Sequence, residues 1–508
     1  MRNRFRRLIT ILHFLGHLLQ ILGIVLLIPL LVVLVCWGRY GDGWKTATAF
    51  AASAAISFVL GTLLRNLFVY EELDTTGSML LCALGWIFAS TLGALPFVMA
   101  LRTGWLDAYF EAVSGFTTTG FTIYLGLDDM PRSILFWRAL MQWLGGIGIL
   151  SFFLTVTFRT TASHHIFGAE SHKITSGRPA PGLQHTLHIL WGIYASFTAV
   201  AALVLALEGL SLFDALCHAL TAVSTAGFST HDAGIDYYRQ AGIYNYRLIE
   251  YTLIFFMTLG GINFLIHYRV LTADFRALWD NVEIRYWWRL IAAFTLAILI
   301  ERLFASGSVY SLLAKPSSSG LAQLEQSFRY SLFQVVAILT TTGFATKSIA
   351  SEFFGAMSKQ LFLVMMIIGG CVGSTSGGLK VMRIAILNRL VSRELFKSRV
   401  SSRARSELLI DGKAVPDDEV RRVAALFFAW LILLIVGAGI TALLSEHNAL
   451  QCLSGMSSAL GNIGPCYIQA RSIIVLHPVV KLTYILGMLA GRLEILPVLL
   501  LFSKRAWR

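Results

Sequence analysis

Apolar stretches long enough to cross a lipid bilayer recur along almost the whole of this chain. A transmembrane helix needs about 20 consecutive, mostly apolar residues. Of the 508 residues, 56% are hydrophobic and only 14% are charged. The sequence therefore predicts an all-α polytopic membrane protein with ten full spans. The candidate spans lie at 8–37, 45–68, 77–101, 134–157, 184–208, 246–271, 286–305, 357–387, 420–444 and 479–502.

Basic residues are concentrated in a few places between and beside these spans. The stretch 383–422 holds ten lysines and arginines beside six acidic residues, and the start "MRNRFRR" and the tail "KRAW" are also basic. Cytoplasmic segments of membrane proteins carry an excess of such residues. The pattern predicts a multi-pass protein with both termini in the cytoplasm. The net charge of +13 then reflects topology, and no nucleic-acid partner is expected.

A short polar motif recurs four times between the apolar spans. It reads "TTTGF" at 117–121, "STAGF" at 224–228, "TTTGF" at 340–344 and "LGNIGPCY" at 460–467, and its glycines are 107, 116 and 121 residues apart. Each copy follows a short amphipathic segment. About ten helical residues rise roughly 15 Å, half of the hydrocarbon core. The repeat therefore predicts four half-length helices that stop midway through the membrane.

The motif turns have the composition expected of an ion filter. Irregular backbone at membrane depth is tolerated only where it is buried in protein or lines a water-filled cavity. Rings of carbonyl oxygens replace the hydration shell of a cation in potassium filters, and glycine supplies the positive φ that aims them. The C-terminal ends of four half-helices would also favour a cation. The alternative is that the turns are small-residue packing devices between helices, which their fourfold recurrence disfavours.

The segment "GGCVGSTSGGLKVMR" (369–383) interrupts the apolar span at 357–387. Gly373 and Gly378 have the spacing of a phosphate-binding loop, but Leu379 follows them and the lysine comes one position late, so nucleotide binding is rejected. A glycine-rich break is accepted inside a membrane near a cavity. The alternative interpretation is a helix-packing face.

Together these features resemble the Trk/Ktr/HKT superfamily of potassium transporters, most closely the bacterial TrkH-type membrane subunit. The resemblance covers nearly the whole chain. It implies four membrane–pore-helix–membrane repeats in a pseudo-fourfold arrangement, preceded by two additional N-terminal transmembrane helices. The implied divisions are 1–70 for the two additional helices, 71–160, 184–272 and 284–390 for the first three repeats, 391–418 for a basic cytoplasmic linker, and 419–508 for the fourth repeat.

The resemblance also assigns a selectivity filter, and K⁺ at this filter is the only metal ion expected. Because relatives with serine at the first filter glycine favour sodium, Gly120 implies a preference for potassium. Cys466 departs from the glycine that relatives commonly have after Gly-Pro, which leaves the geometry of the fourth turn open. The filter residues are Thr118, Thr119, Gly120, Phe121, Thr225, Ala226, Gly227, Phe228, Thr341, Thr342, Gly343, Phe344, Asn462, Ile463, Gly464 and Pro465.

The resemblance places a gate beneath the third filter strand. Ionisable groups inside spans are functional candidates, and Arg492 is expected to set a positive barrier in the pathway, with Glu494 partly neutralising it or a structural ion pair as the alternative. Arg383 is expected to snorkel to the cytoplasmic interface, and for Lys380 both interpretations stay open. The gate residues are Gly369, Gly370, Gly373, Ser374, Thr375, Ser376, Gly377, Gly378, Lys380 and Arg492.

The expected function is potassium uptake across the bacterial inner membrane, driven by the electrochemical gradient and either channel-like or coupled to H⁺ or Na⁺. The alternatives are a transporter of another cation such as Na⁺, or of an organic solute. No enzyme is expected, and no cofactor in this chain. The resemblance implies a homodimer in the lipid bilayer and a cytosolic TrkA-type partner with an RCK domain, which would bind ATP or NAD. The loops 383–422 and 158–183 are the expected docking surfaces.

Overall fold

The structure is a computed structural model that describes residues 6–69, 73–148, 183–305, 318–399 and 407–507. It is mostly helical, with one two-stranded antiparallel hairpin. Apart from Leu183, the predicted docking loop 158–183 lies outside the described residues.

Three helices form the N-terminal part, α1 (Arg6–Val25), α2 (Ile28–Val35) and α3 (Trp44–Leu67). Helices α1 and α3 pack with their backbones in close contact. A Cβ atom on Gly16 would lie 2.7 Å from the Gly61 carbonyl oxygen, and one on Gly61 would lie 2.6 Å from that of Gly16. Such small-residue contacts let membrane helices approach closely. Neither of these two helices carries a copy of the repeated motif.

The remaining elements follow in chain order, and each part of the chain that contains one copy of the repeated motif is called a motif unit. The first motif unit holds α4 (Thr75–Gly93), α5 (Leu95–Leu101), α6 (Trp105–Phe116) and α7 (Arg132–Ile147). The second holds α8 (Leu183–Leu207), α9 (Leu212–Val223), α10 (Asp236–Gln240), α11 (Tyr246–Gly261) and α12 (Phe264–Leu271). The third holds α13 (Val282–Ala305), α14 (Ser318–Leu339), α15 (Ala356–Met365) and α16 (Val381–Lys397). Strands β1 (Leu409–Ile410) and β2 (Lys413–Ala414) precede α17 (Asp417–Leu444), α18 (Ala449–Gly461), α19 (Ala470–Ile474), α20 (Pro478–Arg492) and α21 (Leu496–Leu501).

The described residues contain five helices that are long and apolar enough to cross a bilayer, or six if α11 and α12 count as one span. Ten full spans were predicted, and the difference arises mainly from breaks. Helices α11 and α12 meet at 105°, and the predicted spans 357–387 and 479–502 each divide into two helices. Helix α13 is 24 residues long but carries five charged residues. The predicted span 134–157 is described only as far as residue 148.

Helices stand at the four predicted positions before the motif turns, but only three of them are short, so the prediction of a half-length helix is wrong for the third. They are α6, α9 and α18 with 12, 12 and 13 residues, and α14 with 22. Helix α14 begins at Ser318, well before the short segment of about ten residues that was predicted there. Local capping fixes two of the starts: the Ser211 hydroxyl accepts a bond from the Asp214 N–H, and Asn448 forms a capping box with Gln451.

Some predicted division limits fall inside helices. The limit at 390 cuts α16, which continues to Lys397, and the predicted linker 391–418 contains the start of α17 at Asp417. Helix α16 continues because its basic stretch also contains good helix formers such as Arg393, Glu394 and Lys397.

Two large apolar cores organise the molecule. The first joins the N-terminal helices to the first and fourth motif units, and the second joins the second and third units. The motif turns contribute to both, with Phe121 in the first core and Phe344 in the second. A small third cluster packs α16 against β1 and the start of α17.

Candidate functional site

The four motif glycines lie against one another in a closed ring. Their φ angles are 72° at Gly120, 77° at Gly227, 78° at Gly343 and 98° at Gly464. A Cβ atom on any of them would collide with the carbonyl oxygen of the residue before the next glycine. The approaches would be 2.2 Å from Gly120 to Ala226, 1.9 Å from Gly227 to Thr342, 1.8 Å from Gly343 to Ile463 and 2.7 Å from Gly464 to Thr119. The turns therefore follow one another in chain order, and the fourth meets the first.

A second position in each turn is also left-handed. It lies two residues before the glycine and has φ of 55° at Thr118, 52° at Thr225, 58° at Thr341 and 55° at Asn462. Asparagine tolerates this region, but positive φ is a genuine outlier for a β-branched residue such as threonine. All four side chains are fully buried. The same strained conformation is thus held in all four turns, a feature that the glycine pattern alone did not predict.

Hydroxyl groups support the first and third turns in the same way. The hydroxyls of Thr117 and Thr119 are 2.7 Å apart, as are those of Thr340 and Thr342. In each pair the first threonine also donates to a carbonyl one turn back in the short helix, at Val113 or Val336, over 2.7 Å. The second turn has Ser224 and Ala226 at these positions, and the fourth has Gly461 and Ile463.

Side chains at the left-handed positions contact the predicted gate. Three of them form hydrogen bonds, which join Thr118 Oγ1 to Arg492 Nη1 (3.0 Å), Thr225 Oγ1 to Thr375 Oγ1 (3.0 Å) and Thr341 Oγ1 to the Gly377 N–H (2.7 Å). The fourth, Asn462, packs against the segment, because a Cβ atom on Gly377 would lie 2.7 Å from the Cβ of Asn462. Every turn of the ring is thus in contact with the segment 369–378 or with Arg492.

The segment 366–380 is non-helical and docks onto the break between α11 and α12. Its Cys371 N–H donates to the Gly261 carbonyl over 2.9 Å, and its Gly373 carbonyl accepts from the Phe264 N–H over 3.1 Å. The buried Glu283 carboxylate of α13 accepts the Val372 N–H over 2.7 Å. The interruption of the apolar span that was predicted at 369–383 is therefore present, at 366–380. Elements of two different motif units hold it in place.

Arg492 stands at the end of α20 in a place that is glycine in the other units. Helices α7, α11 and α15 are each followed or ended by a Gly-Gly pair, at 145–146, 260–261 and 369–370, whereas the fourth unit has Gly491-Arg492. The guanidinium donates to the carbonyls of Gly145 and Gly146 at 2.5 and 2.6 Å, and to that of Thr375 at 2.6 Å. Its positive charge therefore lies on the C-terminal carbonyls of α7, the partly negative end of that helix.

Of the two other basic groups of this region, Arg383 is buried and Lys380 is partly buried. Arg383 is 3% exposed and donates to the Glu494 carboxylate over 2.5 Å. The expectation that Arg383 snorkels to the interface is therefore wrong, because a carboxylate from the broken end of α20 pairs with it inside the protein. The Lys380 ammonium donates to the Ser376 carbonyl within the segment itself, which favours a role in the segment over simple snorkelling.

Two cavities flank the ring and the segment. One, of about 560 Å³, is lined by Gly120, Gly227, Gly343 and Pro465 among others. The other, of about 140 Å³, is lined by residues 372–378 together with Lys380 and Arg492. The larger cavity therefore borders the ring, and the smaller one borders the docked segment.

A buried ion pair, which was not predicted from the sequence, lies behind the first two turns. Arg138 of α7 is 1% exposed, and its Nε lies 2.8 Å from Oε1 of the fully buried Glu111 of α6. Its Nη atoms donate to the Ser229 carbonyl and to the Thr122 hydroxyl, both over 3.1 Å. The available signal was an ionisable residue inside the predicted span 134–157, which is a functional candidate by default.

Carboxylates join the loops that follow the motif turns in the first and second units. Asp232 accepts the N–H groups of Gly126 and Leu127 over 2.9 and 3.1 Å, and Asp128 accepts the Asp232 N–H over 3.3 Å. The His231 ring stacks on Tyr237, and its Nδ1 is 2.5 Å from Asp128. These contacts fix the two loops at the rim of the larger cavity.

We expect this outer junction to depend on pH through His231, which lies in a loop outside the helices. Burial lowers the pKa of His231, but hydrogen bonds to Asp214 and Asp128 raise it by more, so it lies above 6.5. A raised pKa in the folded state stabilises the fold at pH below 6.5, and this contribution is lost as pH rises through the folded pKa. The melting temperature should therefore fall more on His231→Gln at about pH 6 than at about pH 9, by an amount equivalent to at most about 1 kcal/mol. An equal loss at both pH values would contradict this assignment.

Comparison with known proteins identifies the family of this chain. Residues 46–507 match the TrkH family model, described as "Cation transport protein". The Trk system potassium uptake protein TrkH of Escherichia coli K12 is 31% identical over 501 residues, covering 97% of this chain and 98% of that protein. TrkI of Halomonas elongata is 30% identical over 514 residues, covering 100% and 98%. The crystal structure of the potassium transporter TrkH from Vibrio parahaemolyticus superposes with a TM-score of 0.82 at 28% identity and covers all of both chains.

These matches confirm the resemblance drawn from the motifs, and they place the chain among transport proteins rather than enzymes. The match extends over the turns, the interrupted segment and Arg492. This chain therefore belongs to the TrkH family of cation transport proteins.

Proposed function

We propose that this protein takes up potassium across the bacterial inner membrane, with the four motif turns as its selectivity filter. The observation that carries the proposal is the closed ring of four glycines, in which each turn lies directly against the next. Such a ring brings backbone carbonyls from four loops around one axis, where they can replace the hydration shell of K⁺. The names of the relatives, potassium uptake proteins, support K⁺ as the ion.

The short helices add an electrostatic contribution to this filter. Helices α6, α9, α14 and α18 each end one or two residues before the filter residues, so their C-terminal ends lie close to the ring. These ends carry partial negative charge and favour a cation between them. The membrane potential supplies the driving force, about 2.3 kcal/mol per charge for each 100 mV.

The segment 369–378, with Lys380 and Arg492, is the proposed gate. It is bonded to the base of three filter turns and to the break between α11 and α12. Because these are individual hydrogen bonds from a non-helical segment, a modest rearrangement can release them. Movement of the segment away from the ring would join the two cavities, and the Arg492 charge would then control the remaining barrier.

The cytoplasmic part of α16 is the proposed docking surface for a TrkA-type partner with an RCK domain. Val391, Leu395 and Phe396 are 52–59% exposed on a helix that also carries Arg393 and Lys397. An apolar strip flanked by basic residues suits a protein partner. We also propose a homodimer, cytoplasmic termini, no cofactor in this chain, and ATP or NAD on the partner only.

Growth rescue tests the proposed function. Expressed in a bacterial strain that lacks its own potassium uptake systems, the protein should restore growth at limiting K⁺, together with a TrkA-type partner where one is needed. Failure to restore growth with protein present in the membrane would contradict the proposal. Accumulation of Na⁺ or of an organic solute in place of K⁺ would favour the alternatives.

A further inference from the structure

We infer that Gln142 of α7 holds the second filter turn in shape and thereby sets the preference for K⁺ over Na⁺. This inference rests on the proposed filter. It concerns a residue outside the motif turns, on the helix of the preceding unit. Gln142 is therefore a positioning residue that acts through the turn.

The Gln142 side chain forms hydrogen bonds to the residues on both sides of Gly227. Its Nε2 donates to the Ala226 carbonyl over 2.7 Å, and its Oε1 accepts the Phe228 N–H over 3.0 Å. The amide orientation is fixed, because an N–H partner requires the oxygen and a carbonyl partner requires the nitrogen. Gln142 is fully buried, so water does not compete for these two bonds.

The Ala226 carbonyl, to which Gln142 donates, belongs to the ring. The Ala226 oxygen is the atom that a Cβ on Gly120 would meet at 2.2 Å. A carbonyl oxygen has two lone pairs, so one bond to Gln142 leaves the second available. By fixing the peptide unit between Ala226 and Gly227, Gln142 also fixes the separation between the first and second turns.

The four units differ at this position. The compared position lies three residues before the first glycine of the Gly-Gly or Gly-Arg pair in each unit. It is Gln142 in the first unit and methionine in the others, at Met257, Met366 and Met488. All four side chains are fully buried. A thioether donates no hydrogen bond and accepts only weakly, so only the first unit can hold the backbone of a turn from this position.

The turn that Gln142 contacts is the one that needs such support. The first and third turns have their own threonine pairs, 117 with 119 and 340 with 342. In the fourth turn, the Asn462 amide donates to the Thr119 hydroxyl and the Met488 carbonyl over 2.9 and 2.8 Å. The second turn has Ala226 where a threonine would complete the pair. Gln142 supplies the missing hydrogen bonds from outside the turn.

Exchanging Gln142 for the residue of the other units tests this inference. The K⁺/Na⁺ permeability ratio is measured from reversal potentials with purified protein in planar bilayers. For Gln142→Met we expect a fall of roughly tenfold, because two buried hydrogen bonds are lost and each contributes about a factor of three. Met257→Leu is the matched control, a conservative change at the equivalent position, and should leave the ratio unchanged.

A rescue variant separates filter positioning from general stability. Adding Ala226→Thr to Gln142→Met gives the second turn a hydroxyl pair with Ser224, like the pairs in the first and third turns. We expect this double variant to recover most of the lost selectivity. If Gln142→Met does not yield folded protein, Gln142→Asn is measured with the same expectation, since the shorter amide cannot reach both backbone groups.

The outcomes distinguish this inference from the proposed filter. A wild-type protein without K⁺ preference would overturn the proposed function itself. A selective wild type with an unchanged ratio in Gln142→Met would overturn only the role of Gln142. Loss of selectivity without rescue by Ala226→Thr would also contradict it, because the loss would then not arise from missing support of the second turn.

Discussion

Replacing Gly120 with serine should lower the K⁺/Na⁺ permeability ratio by at least roughly tenfold. The new Cβ would lie 2.2 Å from the Ala226 carbonyl oxygen, whereas a carbon and a carbonyl oxygen approach no closer than roughly 3.3 Å. The first and second turns would therefore have to separate by about 1 Å. A ring widened by this amount no longer fits K⁺ with its carbonyls, and its preference over Na⁺ declines.

Gly126→Ser is the matched control for this experiment. Gly126 has φ of 74°, close to the 72° of Gly120, but a Cβ there would meet nothing within 4 Å. Both variants thus introduce the same backbone strain, and only one introduces the collision. Equal loss of selectivity in both would show that strain alone is responsible. An unchanged ratio in folded Gly120→Ser would refute the filter geometry.

Replacing Arg492 with alanine should raise K⁺ flux in the absence of any cytosolic partner by roughly 30-fold. The change removes a positive charge from the base of the first turn and breaks the bond from Arg492 to the Thr375 carbonyl. At an effective dielectric constant of about 20, a unit charge repels a K⁺ ion roughly 8 Å away by about 2 kcal/mol. Removing it therefore lowers the barrier and loosens the docked segment together.

Arg492→Lys keeps the charge and removes the planar fork that binds several carbonyls at once. If electrostatic repulsion dominates the barrier, this variant should conduct nearly as little as the wild type. If docking of the segment dominates, its flux should approach that of the alanine variant. Flux of Arg492→Ala equal to that of the wild type, in folded protein, would contradict a role for Arg492 in the barrier.

The sequence was most informative where the repeat imposes the same local conformation four times. Four glycines at near-equal spacing predicted turns with positive φ, and the structure places these turns in one ring. The break near Gly373 was also predictable, because glycine and serine residues interrupt an apolar run. The ends of α7 at Ile147 and of α11 at Gly261 were less visible, since two glycines in an apolar sequence also suit continuous helix packing.

Contacts between distant units could not be predicted from local pattern. Arg383 was expected to snorkel to the interface because it follows the broken segment, whereas its actual partner, Glu494, is 111 residues away in the chain. Gln142 reads as an ordinary polar residue in an apolar helix until its bonds to the second turn are seen. The identity of the partner in such pairs depends on the arrangement of whole units, which local periodicity does not encode.

Cation uptake into proteoliposomes at an imposed inside-negative potential tests the central claim most directly. Purified protein, with a TrkA-type partner added where flux is low, is compared for K⁺, Rb⁺ and Na⁺ in otherwise identical vesicles. A filter of four carbonyl-bearing turns predicts rapid uptake of K⁺ and Rb⁺ and much slower uptake of Na⁺. Equal uptake of Na⁺, or no uptake of any of the three ions with the partner present, would contradict it.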